Sequence, residues 1–195
     1  MSKQVTVSPV DGRIYVERAY ASPDEIDGAV ERAVAAQRSG RHVPVSERAA
    51  IWERFVAAFK ARRSVIAEEI SWQIGRPISA SPGEVRGTVE RARYMVGAAA
   101  DALADGDCGE APGLRRFIRR EPHGVVLTVA AWNYPFLIAV NSVVPAIMAG
   151  NAVLLKHSAQ TPLAAERFAE GFAHAELPTG VFQALHLTHA DTEQL

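Results

Sequence analysis

The chain has 195 residues, 48% hydrophobic and 22% charged, with a formal net charge of −1. This is ordinary globular composition, enough for one good core or one domain with an appended subdomain, and it supplies no global field to recruit nucleic acid or an anionic membrane. The single cysteine, Cys108, excludes an internal disulfide framework and suits a reducing, cytoplasmic setting, and the apolar stretches fall short of the ~20 residues of a membrane span.

Ahead of residue 105 the pattern reads as helical. The opening through Ser8-Pro9-Val10-Asp11-Gly12 carries no apolar signal core. Ser22-Pro23-Asp24-Glu25 then announces a helix: an N-cap serine, proline at the first helical position and a capping-box glutamate. Ile26, Ala29, Val30 and Ala33 follow on one face at helical spacing. A second helix is expected from Ser46, burying Ala49, Trp52, Val56 and Phe59. A third, over 65–74, stops at Gly75 with Pro77 beyond. Ser81-Pro82-Gly83-Glu84 repeats the start signature and opens a longer helix through Val85, Val89, Ala92, Val96 and Ala99. The tryptophans and phenylalanines on these faces read as core.

Around residue 105 the plan changes. Residues 105–109 read as a turn and 114–121 as an extended strand in which Phe117 and Ile118 sit among Arg115, Arg116, Arg119 and Arg120. Those arginines do not interleave with aromatics as a single-strand nucleic-acid surface requires. Residues 125–130 form a continuous apolar run suited to a strand buried on both faces. Residues 136–149 are apolar nearly all round, as in a buried helix, and Gly150-Asn151 ends them. A second buried strand runs from Ala152 to Lys156, Pro162 starts another helix, and 181–187 reads as a third strand. This β-α-β-α-β order is the half-unit of a doubly wound parallel sheet. Right-handed crossovers place the three strands side by side, with ligands beyond their carboxyl ends, near Trp132-Asn133 and near Lys156.

Familiar chemical signatures are missing. No Gly-x-Gly-x-x-Gly follows a strand, and neither a phosphate-loop lysine motif nor His-Glu-x-x-His is present. The histidines lack metal-ligand spacing; His186 and His189 lie close in sequence but read as surface or loop residues. Cys108 lies in an acidic turn without a neighbouring histidine or lysine, so no nucleophilic role is expected of it.

What remains is an ordered set of motifs. Glu121-Pro122-His123-Gly124-Val125 is followed by Trp132-Asn133-Tyr134-Pro135, then by Ala149-Gly150-Asn151-Ala152-Val153-Leu154-Leu155-Lys156. Gln160-Thr161-Pro162 and Leu177-Pro178-Thr179-Gly180-Val181 complete it. In content, order and spacing the set resembles the aldehyde dehydrogenase superfamily. Weaker similarity runs back to Ser8, through Trp72-Gln73-Ile74-Gly75-Arg76-Pro77. The resemblance implies an α/β fold, N-terminal helices followed by a partial Rossmann-like parallel sheet. It divides the chain into a helical part of the cofactor-binding domain (1–104), a segment like the family's oligomerisation hairpin (105–122) and a partial dinucleotide-binding unit (123–195).

The resemblance also implies roles. The side-chain amide of Asn133 would hold the oxyanion of a thiohemiacetal formed between substrate aldehyde and a catalytic cysteine, the kind of donor that contributes ~3–4 kcal/mol where charge develops. An asparagine settling a turn before Pro135 is the plainer alternative. Lys156 would bind ribose hydroxyls of NAD or NADP, with Trp132, Ser158 and Ala159 as further cofactor contacts. Many members carry Lys-Pro-Ser-Glu where this chain reads Lys156-His157-Ser158-Ala159. Without that carboxylate a 2′-phosphate meets less repulsion, so NADP should be tolerated.

On this reading the chain is the N-terminal portion of an NAD(P)-dependent enzyme that oxidises an aldehyde to a carboxylic acid, homo-oligomeric when complete. The family's glycine-rich loop, general-base glutamate and nucleophilic cysteine are not among these residues. The chain is therefore expected to be truncated and inactive alone, its sheet open at one edge and incompletely covered on both faces. Two other readings stay open: a non-catalytic nucleotide-binding or interaction module, and an assembly partner that contributes a strand from 114–121.

Overall fold

A computed structural model describes residues 3–110 and 112–195. It opens with an antiparallel hairpin, β1 (Lys3–Val7) and β2 (Ile14–Ala19), where no strand was expected. The polarity of β1 is inverted. Gln4 and Thr6 are buried, while Val5 and Val7 are 40% and 47% exposed. Its inner face docks on the polar backbone of a loop, with Thr6 Oγ1 donating to the Ala159 carbonyl at 2.7 Å.

Four helices follow: α1 (Pro23–Gly40), α2 (Val45–Ala61), α3 (Arg63–Ile74) and α4 (Ser81–Leu103). The capping box of Ser22 and Glu25 forms as predicted. Helix α3 ends on Gly75 in the left-handed conformation, φ 71°, where a side chain would be strained and a Cβ would press on Pro9. The matching signature at Ser81 behaves differently. Ser81 lies inside α4 behind an N-cap Ala80 that makes no side-chain cap, and its hydroxyl bonds Ser71 and the Pro77 carbonyl. Glu84 turns to another element altogether, described below.

The 114–121 strand shrinks to a two-residue β4 (Phe117–Ile118) paired with β3 (Gly106–Asp107). Beyond it the parallel sheet has the expected form. Its parts are β5 (Val125–Ala130), α5 (Pro135–Met148), β6 (Ala152–His157), α6 (Pro162–His174) and β7 (Phe182–Leu185), followed by α7 (His189–Gln194). The strands lie in the order β5-β6-β7, with Val129 level with Lys156 and Lys156 level with Leu185. Asn151 fixes the lower end of the sheet: its Oδ1 accepts from Gly124 N at 2.9 Å and its Nδ2 donates to Ala146 O.

One face of the sheet packs on α5 and α6, where Val153 and Leu155 join a core built on Trp52, Phe55, Phe59, Phe136, Phe168 and Phe172. The other face is covered in part, by α1. Ala29 and Ala33 of α1, both 0% exposed, let that helix lie close on Ala152 and Leu154, with Val125, Leu127 and Leu185 packed around them. Toward the carboxyl end of β5 this cover gives out: Val129, on the α1 side, is 58% exposed. No helix among the described residues is long and apolar enough to cross a membrane.

Candidate functional site

Beyond the carboxyl ends of β5 and β6 the structure gathers the residues singled out from sequence. After β5 the chain turns through residues 131–134 into α5, leaving Trp132 and Tyr134 57% and 50% exposed and Asn133 also exposed. The Asn133 side chain makes no hydrogen bond to any described residue, whereas its carbonyl accepts from Arg76.

Lys156 stands at the end of the central strand, in register with the exposed Val129 and on the same side of the sheet. The residue is buried, 7% exposed, yet its ammonium has no hydrogen-bond or ion-pair partner among the described residues. It is also not among the sealed, unpaired polar atoms, so it retains a route to solvent. Burial lowers its pKa from the usual lysine value. An unpaired cation held in a largely covered place is costly and is relieved by a hydrogen-bonding ligand.

His157, the next residue, joins the two segments. Its Nε2 lies 2.9 Å from the Pro135 carbonyl, and its Nδ1 accepts from Ser158 N and lies 2.9 Å from Thr161 Oγ1. A ring that accepts at Nδ1 and donates at Nε2 is neutral, and burial pushes its pKa down to about 4. Ser158 N also donates to Ala130 O at 2.9 Å, tying the loop to the end of β5. The Ser158 hydroxyl oxygen accepts from Gln160 N, and Ala159 is exposed with its carbonyl held by Thr6. Trp132, Asn133, Lys156, Ser158 and Ala159 therefore share one end of the sheet.

Other candidates fall elsewhere. Cys108 is exposed beside the β3–β4 pair. His186 lies 3.2 Å from Glu166, which also receives both arms of Arg18. Burial opposes ionisation of Glu166, but the His186 and Arg18 hydrogen bonds outweigh it and hold the carboxyl at about 2. This cluster ties β2 and the residue just after β7 to α6. No group of three metal-ligating side chains occurs among the described residues.

Sequence reasoning missed four residues that build the site. Thr6 and His157 hold the loop after β6, and Arg76 and Glu84 hold the turn before α5. The Asp11-Gly12 turn between two β-prone runs was the available sign of the hairpin that carries Thr6. Arg76 and Glu84 each fell inside a segment noted from sequence, but nothing local marked their contacts with the 133–136 turn, which lies 57 residues from Arg76 at Asn133 and 52 from Glu84 at Phe136.

Residues 2–195 match the Aldehyde dehydrogenase family. Among curated relatives, the chain is 33% identical over 191 residues to succinate-semialdehyde dehydrogenase (NADP+) 1 of Mycobacterium ulcerans, covering 96% of this chain and 42% of that protein. It is 35% identical to 3,6-anhydro-alpha-L-galactose dehydrogenase of Streptomyces coelicolor, covering 92% of this chain and 36% of that one. In structure it overlays NADP-dependent glyceraldehyde-3-phosphate dehydrogenase of Bacillus halodurans, complexed with NADP, at a TM-score of 0.88 and 25% identity. That overlay covers 97% of this chain and 41% of the other. The chain thus spans roughly two fifths of the length of such relatives.

Proposed function

This chain belongs to the aldehyde dehydrogenase family, and on that premise we propose that it supplies the adenosine cradle and one oxyanion donor of an NAD(P)-dependent aldehyde oxidation. Lys156 carries the reading: a largely buried lysine at the carboxyl end of the central strand, beside the exposed Trp132-Asn133 turn, whose ammonium keeps a route to solvent and has no partner among the described residues. Its ammonium donates to ribose hydroxyls. Trp132, Ser158 and Ala159 flank the dinucleotide, which supplies the hydride acceptor when bound. Asn133 donates its uncommitted amide to the oxygen that gains charge as the aldehyde carbon is attacked. The exposed Ala159 presents no carboxylate to a 2′-phosphate, so NADP is accepted at least as well as NAD.

In this reading residues 1–104 support the cofactor domain, 105–122 form an edge for homo-oligomer contacts, and 123–195 are the dinucleotide unit. A cytoplasmic setting suits the exposed thiol of Cys108. An aldehyde panel that includes succinate semialdehyde, assayed for NADP+ and NAD+ reduction by the protein isolated from its source, tests the reading. Asn133→Ala should lower turnover by ~10²–10³-fold. Turnover indifferent to that change contradicts the oxyanion role, and tight dinucleotide binding without turnover favours a nucleotide-binding module instead.

A further inference from the structure

Helix α5, which follows the Trp132-Asn133 turn, has no local cap. Tyr134 occupies the N-cap position and makes no side-chain cap hydrogen bond. The first-turn donors can be accounted for one by one. Pro135 has no N–H, and Ile138 N returns to the Tyr134 carbonyl at 2.9 Å. Phe136 N donates to Glu84 Oε1 at 2.9 Å, with Leu137 N more distant from the same oxygen at 3.5 Å. The helix is capped from α4.

The other carboxylate oxygen of Glu84 pairs with Arg76, which donates in turn to the Asn133 carbonyl. The same guanidinium lies 4.5 Å from the centroid of the Tyr134 ring. The Glu84 side chain is 0% exposed and that of Arg76 15%. One buried ion pair therefore grips the turn on both sides, at the carbonyl of Asn133 and at the N–H of Phe136. Burial pushes the Glu84 carboxyl above its usual range, opposed by the Phe136 hydrogen bond and the Arg76 charge.

An asparagine just ahead of a helix commonly spends its side chain on such open N–H groups. Here Glu84 satisfies them, and the Asn133 side chain makes no hydrogen bond to any described residue. We propose that Glu84, held by Arg76, is a positioning residue that caps α5 from a distance, fixing the Asn133 backbone while leaving its side-chain amide free for a substrate oxygen. This rests on the oxyanion reading of Asn133. A helix N-terminus also favours a carboxylate over a neutral acceptor, so Glu84 is well suited to the position.

The test is amide NMR on the 15N-labelled protein with Glu84→Ala, Glu84→Gln and Arg76→Lys. In the unsubstituted protein, Phe136 N–H should be protected from exchange, and the Asn133 side-chain amide should show no contact with it. Glu84→Ala should speed Phe136 exchange at least ~10-fold and shift the Asn133 side-chain pair as it moves to the open donors. Glu84→Gln, which keeps an acceptor, should restore most of the protection. Arg76→Lys should leave Phe136 protected while shifting the Tyr134 amide, and this arm serves if Glu84→Ala does not fold. Phe136 protection or Asn133 resonances unchanged in a folded Glu84→Ala protein overturn the proposal, as does a Tyr134 amide unmoved by Arg76→Lys. Failure of the oxyanion reading shows separately, as turnover unaffected by Asn133→Ala.

Discussion

His157 shows how one side chain can carry both geometry and a pH signature. In the fold it stays neutral down to about 4, while in the unfolded chain it protonates near the usual 6.5. Between those values the unfolded state binds the additional proton, so stability falls as pH drops from 6.5 to about 4, by about 3 kcal/mol in all. Above 6.5 the residue adds no pH dependence. Glu166 acts in a lower window: its stabilisation is complete above 4.5 and is lost as pH falls toward 2. Urea unfolding at pH 7 and pH 4.5 should therefore show a loss in the unsubstituted protein that His157→Gln reduces by about 2 kcal/mol. An equal loss in both proteins would mean the ring is not held neutral. Lys156 could be placed from sequence because a strand's carboxyl end is a local feature. Neither the tautomer of His157 nor the Glu84–Arg76 pair could be, since each depends on groups brought near only by the fold.

At the scale of elements, two similar local signatures diverged once tertiary partners competed for them. Ser22-Pro23-Asp24-Glu25 caps its own helix because its glutamate is exposed and has no better partner. Ser81-Pro82-Gly83-Glu84 gives its glutamate to α5 and its serine to Ser71 and Pro77. The β1–β2 hairpin escaped detection because β1 buries polar Gln4 and Thr6 and exposes Val5 and Val7, the reverse of ordinary strand patterning. The contact between α2 and α6 depends on close approach at Gly171, where an added Cβ would lie 2.6 Å from Phe55 Cε2 and 2.8 Å from Cδ2. Phe55 is wedged among Phe59, Phe168 and Phe172, so it has little room to yield. Gly171→Ala should cost about 1–3 kcal/mol in denaturant unfolding, and adding Phe55→Leu should recover part of that loss. A neutral Gly171→Ala would show that the ring repacks freely.

At the scale of the molecule, the side-by-side order of the three parallel strands was legible in the sequence, because alternating buried strands and helices admit few topologies. The docking of α1 on the second face was not. Small residues at Ala29 and Ala33 resemble an indifferent helix until their role in close approach to β6 is seen. That cover stops short of Val129, leaving open the ground beside Lys156 and Trp132 on which the functional account stands. The most direct test is titration of the purified, folded protein with NADPH and NADH, followed through the fluorescence of its tryptophans, of which Trp132 is 57% exposed. Binding should be saturable, with NADPH no weaker than NADH. Lys156→Ala should weaken it at least ~10-fold, the loss of a charged hydrogen bond, without lowering the unfolding temperature. No saturable binding, or binding that Lys156→Ala leaves unchanged, would contradict the proposed role of Lys156.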